Sequence, residues 1–277
     1  MRRFARFVLL ALVVVGGGAG VARAQSPAFT MFMQSIRLVG QSVSVDTYRP
    51  SAASPRGAAI LVHGLVASRG HLRYLGEALA AAGFVAVVPD LPDFIDASRD
   101  ARAIVSLVQM IESGQAPGVA VTPRDRLVLV GMSFGGLVTV MAASELPGLG
   151  GWVGLDPVDT TQTATREASK VTAPAVVLLG KSSLCNLYGS GSVIARAIPG
   201  LLRATVVAGA SHCDFEGPTN SVCRTACGHG SNEMRTLIRE EAVRAVAELL
   251  HAPVLTQTSL VNAEADSSEQ QAGKDTR

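Results

Sequence analysis

Gly131-Met132-Ser133-Phe134-Gly135 is the stretch of this sequence best suited to chemistry. It follows a short apolar run and opens a second one. A G-x-S-x-G pentapeptide at a strand-to-helix turn holds its serine in strained backbone geometry, so small neighbours are needed and the hydroxyl stands out above the sheet. The helix that follows points its N-terminus at that hydroxyl. A serine hydroxyl is a weak nucleophile without a base. His212, in Ala210-Ser211-His212, lies late in the chain just past an apolar run, as the order serine, acid, histidine requires. His63 ends an earlier strand and suits a bracing role. His71 and His251 fall on helices, and His229 in the cysteine-rich loop is the one rival base.

The acid is the informative residue. In this order it usually follows the strand predicted at Ala175–Leu179, but that strand runs into Gly180-Lys181-Ser182-Ser183-Leu184-Cys185, which carries no carboxylate. Between Asp159 and His212 the sole acid is Glu167, ahead of that strand. Asp156, at the end of Gly151–Leu155, is therefore the candidate to orient the imidazole, with Asp159 the runner-up. The developing oxyanion needs two N–H donors, expected from Phe134 after the nucleophile and from Leu65 in the His63-Gly64-Leu65 loop. Val66 and Met132 are expected as apolar walls for the substrate. This chemistry calls for no cofactor and no metal.

The elements that must position these residues alternate along the chain. Short apolar strands are predicted at Ala58–Val62, Phe84–Val88, Arg126–Val130, Gly151–Leu155, Ala175–Leu179 and Ala204–Val207. Helices are predicted at His71–Ala82, Ala97–Ile111, Gly135–Ser144 and Asn232–Leu250, from apolar spacing near 3.6. Such alternation implies an α/β fold of three layers, with a mostly parallel sheet covered on both faces and ligands held beyond the strands' carboxyl ends. The segment between Asp156 and the next strand is too short for a sizeable cap domain, so an open site is expected.

The two ends read differently from the middle. Arg2, Arg3 and Arg6, the apolar run Phe7–Val15 and Ala22-Arg23-Ala24 have the form of a signal peptide cleaved near Ala24. That run falls short of the roughly 20 residues a membrane span needs, so a secreted or periplasmic protein without a stable span is expected. Residues 25–255 form the expected domain, and 256–277 a polar, disordered tail. The whole chain has 24 basic and 22 acidic side chains; losing the leader's four arginines leaves 20 against 22, a formal −2. No basic stripe remains, so nucleic acid is not an expected partner. Four cysteines, Cys185, Cys213, Cys223 and Cys227, imply two disulfides in an oxidising compartment, in any of three pairings. A zinc site from Cys213, Cys223, Cys227 and His229 is the alternative, although its spacing lacks a C-x2-C knuckle.

His63-Gly64, the Gly131–Gly136 elbow, Asp156 after its strand and the late His212 together resemble the α/β-hydrolase superfamily across nearly all the mature chain. Leu155-Asp156-Pro157-Val158-Asp159 is similar to the acid motif of the chlorophyllase-like branch, in which the aspartate after that strand completes the triad. The stretch His63–Asp90 looks like the same region of cutinase-type polyester hydrolases, which set their acid one strand later. The resemblance implies a secreted serine carboxylesterase, closer to the chlorophyllase-like than the cutinase-like branch. Phe134 stands where plant chlorophyllases carry arginine, which argues against chlorophyll itself. The expected substrate is an accessible apolar ester, small, lipid-like or polymeric, and the expected protein a monomer. Thioester or amide hydrolysis, acyl transfer on the same triad, and a non-catalytic secreted binding protein are the other readings.

Overall fold

The computed structural model describes residues 28–251 apart from 53, 94, 220, 228 and 229. The predicted leader at 1–24, the tail at 256–277 and the rival base His229 lie outside the described residues. Eight strands form one sheet in the order β1-β2-β4-β3-β5-β6-β7-β8. They are β1 (Phe29–Leu38), β2 (Gln41–Pro50), β3 (Ala58–Val62), β4 (Val85–Pro89), β5 (Leu127–Met132), β6 (Gly151–Leu155), β7 (Ala175–Leu179) and β8 (Leu201–Val206). From β4 to β8 all neighbours are parallel, while β1 and β2 add an antiparallel edge.

The strands β3 to β7 are buried along their whole length, as continuous apolar runs covered on both faces should be. One face packs against α2 (Ala97–Glu112), α3 (Phe134–Ser144), α4 (Thr163–Ala168) and α5 (Gly191–Ala197), through residues such as Ile104, Leu107, Val138 and Ile194. The other packs against α1 (Arg73–Ala81) and α7 (Asn232–Leu249), through Leu75, Leu79, Ile238 and Val246. A seven-residue helix, α6 (Ser221–Cys227), lies between β8 and α7.

The structure adds elements that the sequence reading did not assign. The hairpin β1–β2 precedes the first predicted strand. The link from Asp156 to β7 contains α4, a short helix packed on α3 and no cap. The loop after His212 is partly helical: residues His212–Phe215 form a 3-10 turn, and α6 follows. No helix among the described residues is long and apolar enough to cross a membrane.

Candidate active site

Ser133 occupies the turn from β5 into α3 with φ 53° and ψ −119°. That backbone region costs a non-glycine residue about 1–3 kcal/mol and persists only where the surroundings impose it. Three hydrogen bonds impose it here: Ser133 N–H donates to the Leu155 carbonyl at 3.0 Å, and the Ser133 carbonyl accepts from Gly136 and Val158 at 2.9 and 3.2 Å. The flanking glycines are steric necessities. A Cβ on Gly131 would meet Thr139 Oγ1 at 2.1 Å, and one on Gly135 would meet the Val62 carbonyl oxygen at 2.3 Å.

Three strand ends bring the predicted triad together. Ser133 Oγ donates to His212 Nε2 at 2.9 Å, and His212 Nδ1 donates to Asp156 Oδ2 at 2.7 Å. Asp156 follows β6, the strand beside the elbow strand, and His212 opens the 3-10 turn after β8. All three residues are buried, Asp156 at 1% exposure. A carboxylate taken that far from water must be compensated by donors. Gly180 N–H supplies one to Oδ1 at 2.9 Å, and Asn186 Nδ2 supplies another, 3.1 Å from Oδ2. Sequence reasoning missed Asn186. The available signal was its place in the strand-seven loop, where the usual acid is absent and another polar side chain must face Asp156.

The runner-up acid is occupied elsewhere. Asp159 accepts from the Thr165 N–H and hydroxyl and from the Ala164 N–H, and so holds the first turn of α4. Asp214 accepts from the Ser211 N–H and hydroxyl and from the Ser231 N–H, tying the His212 turn to the start of α7. Tyr74 on α1 donates to the Phe215 carbonyl at 3.1 Å from the other side.

His63 braces the neighbouring loop. Its Nδ1 donates to the Gly64 carbonyl at 2.9 Å and its Nε2 accepts the Leu91 N–H at 3.1 Å. Burial pushes the imidazole below its ordinary pKa, which suits a neutral ring donating from one nitrogen and accepting at the other. The braced loop passes close to the elbow: a Cβ on Gly64 would lie 2.9 Å from Met132 Sδ. Among the described residues the N–H groups of Leu65 and Phe134 donate to no protein acceptor. Both residues line the pocket above Ser133.

That pocket has a volume of about 270 Å³ and opens to solvent. Leu65, Val66, Met132, Phe134, Val158 and Leu187 line it, with Ser133, Thr160, His212 and Glu216 as its polar groups. The remaining wall is Gly64, Cys185, Cys223 and Cys227. All four cysteines are paired, Cys185 with Cys227 and Cys213 with Cys223. The three sulfurs of the zinc alternative do lie within 4.8 Å of one another, but each is bound in one of these two adjacent bridges.

The family model described as PET hydrolase-like matches residues 19–197. The chain belongs to the PET hydrolase-like family. Membership makes it an ester hydrolase, and the matched stretch includes the elbow, Asp156 and Asn186 but ends before His212. Among solved structures the fold is similar to the dienelactone hydrolase of Anabaena variabilis ATCC 29413, with a TM-score of 0.63 at 17% identity, over 80% of this chain and 98% of that one. This likeness bears on the α/β-hydrolase fold alone. A search of curated proteins finds no significant match. Of the two branches that the sequence resembles, the family match falls on the side of the polyester hydrolases.

Proposed function

We propose that this chain hydrolyses carboxylic esters through an acyl-enzyme on Ser133, with His212 as base and Asp156 as the acid that orients it. The observation that carries the reading is the continuous hydrogen-bonded line from Ser133 Oγ through His212 to Asp156, at 2.9 and 2.7 Å. Ser133 Oγ attacks the ester carbonyl and its proton passes to His212 Nε2. The carbonyl oxygen becomes an oxyanion, received by the N–H groups of Leu65 and Phe134. Its collapse breaks the ester C–O bond, and His212 returns the proton to the departing alcohol. Water, deprotonated by His212, then attacks the acyl-enzyme; the acid leaves and Ser133 regains its proton. Asp156 keeps the imidazole in the tautomer with Nδ1–H and stabilises the imidazolium between these steps.

The substrate is an apolar ester presented from outside. The pocket is open and mostly apolar, and no cap closes it among the described residues. The family's name, PET hydrolase-like, supports polyesters within that class. The acid after β6 is the feature that resembles the chlorophyllase-like branch, and it bears on the mechanism more than on the substrate. We further propose that residues 1–24 are a leader removed on export, that 25–255 are the catalytic domain, and that the mature protein acts as a monomer. The paired cysteines are compatible with an oxidising compartment.

The test is a panel of p-nitrophenyl esters of rising acyl length, together with an amorphous PET film, incubated with the purified mature chain. Turnover of the short and medium esters is expected, falling once the acyl chain outgrows the pocket. Absence of turnover on every ester would contradict the reading.

A further inference from the structure

We propose that Asn186 is a positioning residue: its amide fixes the Asp156 carboxylate and, through it, the His212 ring. The inference rests on the triad assigned above and extends it. Asn186 is completely buried, in the 3-10 turn Leu184–Asn186 that follows β7. Its amide nitrogen donates to Asp156 Oδ2 at 3.1 Å and to the Lys181 carbonyl at 2.9 Å. Its amide oxygen accepts from Ser183 N–H at 2.9 Å and Gly189 N–H at 3.0 Å. Every polar atom of the side chain is engaged, so the amide has one orientation.

The geometry explains how the acid can stand one strand early. Asp156 Oδ2 is shared by two donors, His212 Nδ1 and Asn186 Nδ2, while Oδ1 takes Gly180 N–H. Gly180 N–H and Asn186 both come from the β7 loop, the place where the usual acid would stand. The loop that lacks a carboxylate thus supplies the donors for one reaching across from β6. Without Asn186 the carboxylate keeps only His212 Nδ1 on Oδ2 and Gly180 N–H on Oδ1. A carboxylate with fewer donors is more basic and accepts more strongly from His212, which favours the imidazolium and raises the pH at which the base becomes available. The other titratable groups nearby are Glu216, on the pocket wall, and Asp214, engaged by Ser211 and Ser231. Neither is altered by a substitution at 186, and Lys181 offers its carbonyl to Asn186.

A purely structural role has a different signature. Cys185 and Leu187 flank Asn186 and line the pocket, so a loosened loop would raise KM and lower the melting temperature while leaving the acid limb of the pH profile where it was. The experiment measures kcat, KM and the pH profile of kcat/KM on a short p-nitrophenyl ester, for the wild-type chain, Asn186→Ala, Asn186→Ser and Ser133→Ala. The serine variant keeps a polar side chain for the loop but stops short of Asp156. Circular dichroism reports folding. In folded Asn186→Ala and Asn186→Ser we expect kcat to fall on the order of 10- to 100-fold, as loss of one hydrogen bond to a charged group allows, with KM within about twofold. The acid limb should move to higher pH. An unmoved acid limb, or a loss confined to KM, would overturn the proposal. So would failure of both variants to fold, which would assign Asn186 to the loop. Wild-type-like Asn186 variants beside an inactive Ser133→Ala would sink this inference alone, whereas an active Ser133→Ala would sink the triad beneath it.

Discussion

At Asp156 a single residue carries two constraints. Its backbone takes φ 44°, outside the range usual for a non-glycine residue, and its N–H donates to the Leu178 carbonyl at 2.7 Å. The turn aims the carboxylate across the strand ends toward His212. Asp159, three residues on, faces α4 instead, so the two aspartates of one motif have separate tasks. Asp156→Asn should therefore lower kcat on the order of 10⁴-fold, because an amide no longer holds the imidazole in its working tautomer. Asp159→Asn should change kcat by less than tenfold while reducing the melting temperature, since α4 loses a carboxylate at its first turn. Steady-state kinetics and thermal melts of the two variants check this, and equal losses of kcat would mean that the acid is misassigned. At this scale the sequence is highly legible. Ser133, His212 and Asp156 are each recognisable from type, order and place after a strand. Asn186 was not, because an asparagine in a loop carries no spacing signal and its contact with Asp156 is visible only in the folded chain.

Among the elements, the buried parallel strands are legible because both their faces are covered and their sequences are continuously apolar. The hairpin β1–β2 is hard to read for two physical reasons. Its first strand is largely exposed, with Met33 at 71%, and only its last residues alternate, Ile36 and Leu38 buried between exposed Ser35 and Arg37. Its two-residue turn, Val39-Gly40, has positive φ at both positions, 43° and 83°. That turn favours asparagine or aspartate followed by glycine, and a β-branched valine is a poor signal for it. The short helices α4, α5 and α6 are illegible too, and the last of them, α6, shows why. With cysteines at 223 and 227 it owes its place to the two bridges, whose pairing no spacing rule predicts. Cys213–Cys223 anchors the residue after His212 to α6, and Cys185–Cys227 anchors the residue before Asn186 to the same helix. One short helix thus stands behind both His212 and the loop that hydrogen-bonds Asp156. A bridge supplies roughly 2–4 kcal/mol by restricting the unfolded chain, while a shift of His212 by about 1 Å can cost on the order of 100-fold in rate. Gradual reduction should therefore abolish activity before far-UV circular dichroism changes. If the two signals fall in step, the bridges only staple the whole fold.

For the molecule as a whole, the sheet gathers its chemistry at one edge of the layer, where β5, β6 and β8 end side by side with β7. The antiparallel pair lies at the opposite side of the sheet and takes no part. The proposed mature chain carries a formal −2, so little long-range field would steer charged substrates. The apolar pocket and the exposed Leu65 and Val66 at its mouth, 51% and 58% accessible, favour uncharged, apolar esters. The central claim is that such esters pass through a covalent intermediate on Ser133. It is tested most directly by incubating the purified protein with a fluorophosphonate, a reagent that traps activated serines, and weighing the intact chain and its peptides. One adduct per chain is expected, on the peptide that contains Ser133, with ester turnover lost in proportion to labelling and no adduct on Ser133→Ala. Labelling of a different residue, or full turnover in a chain labelled at Ser133, would contradict the account.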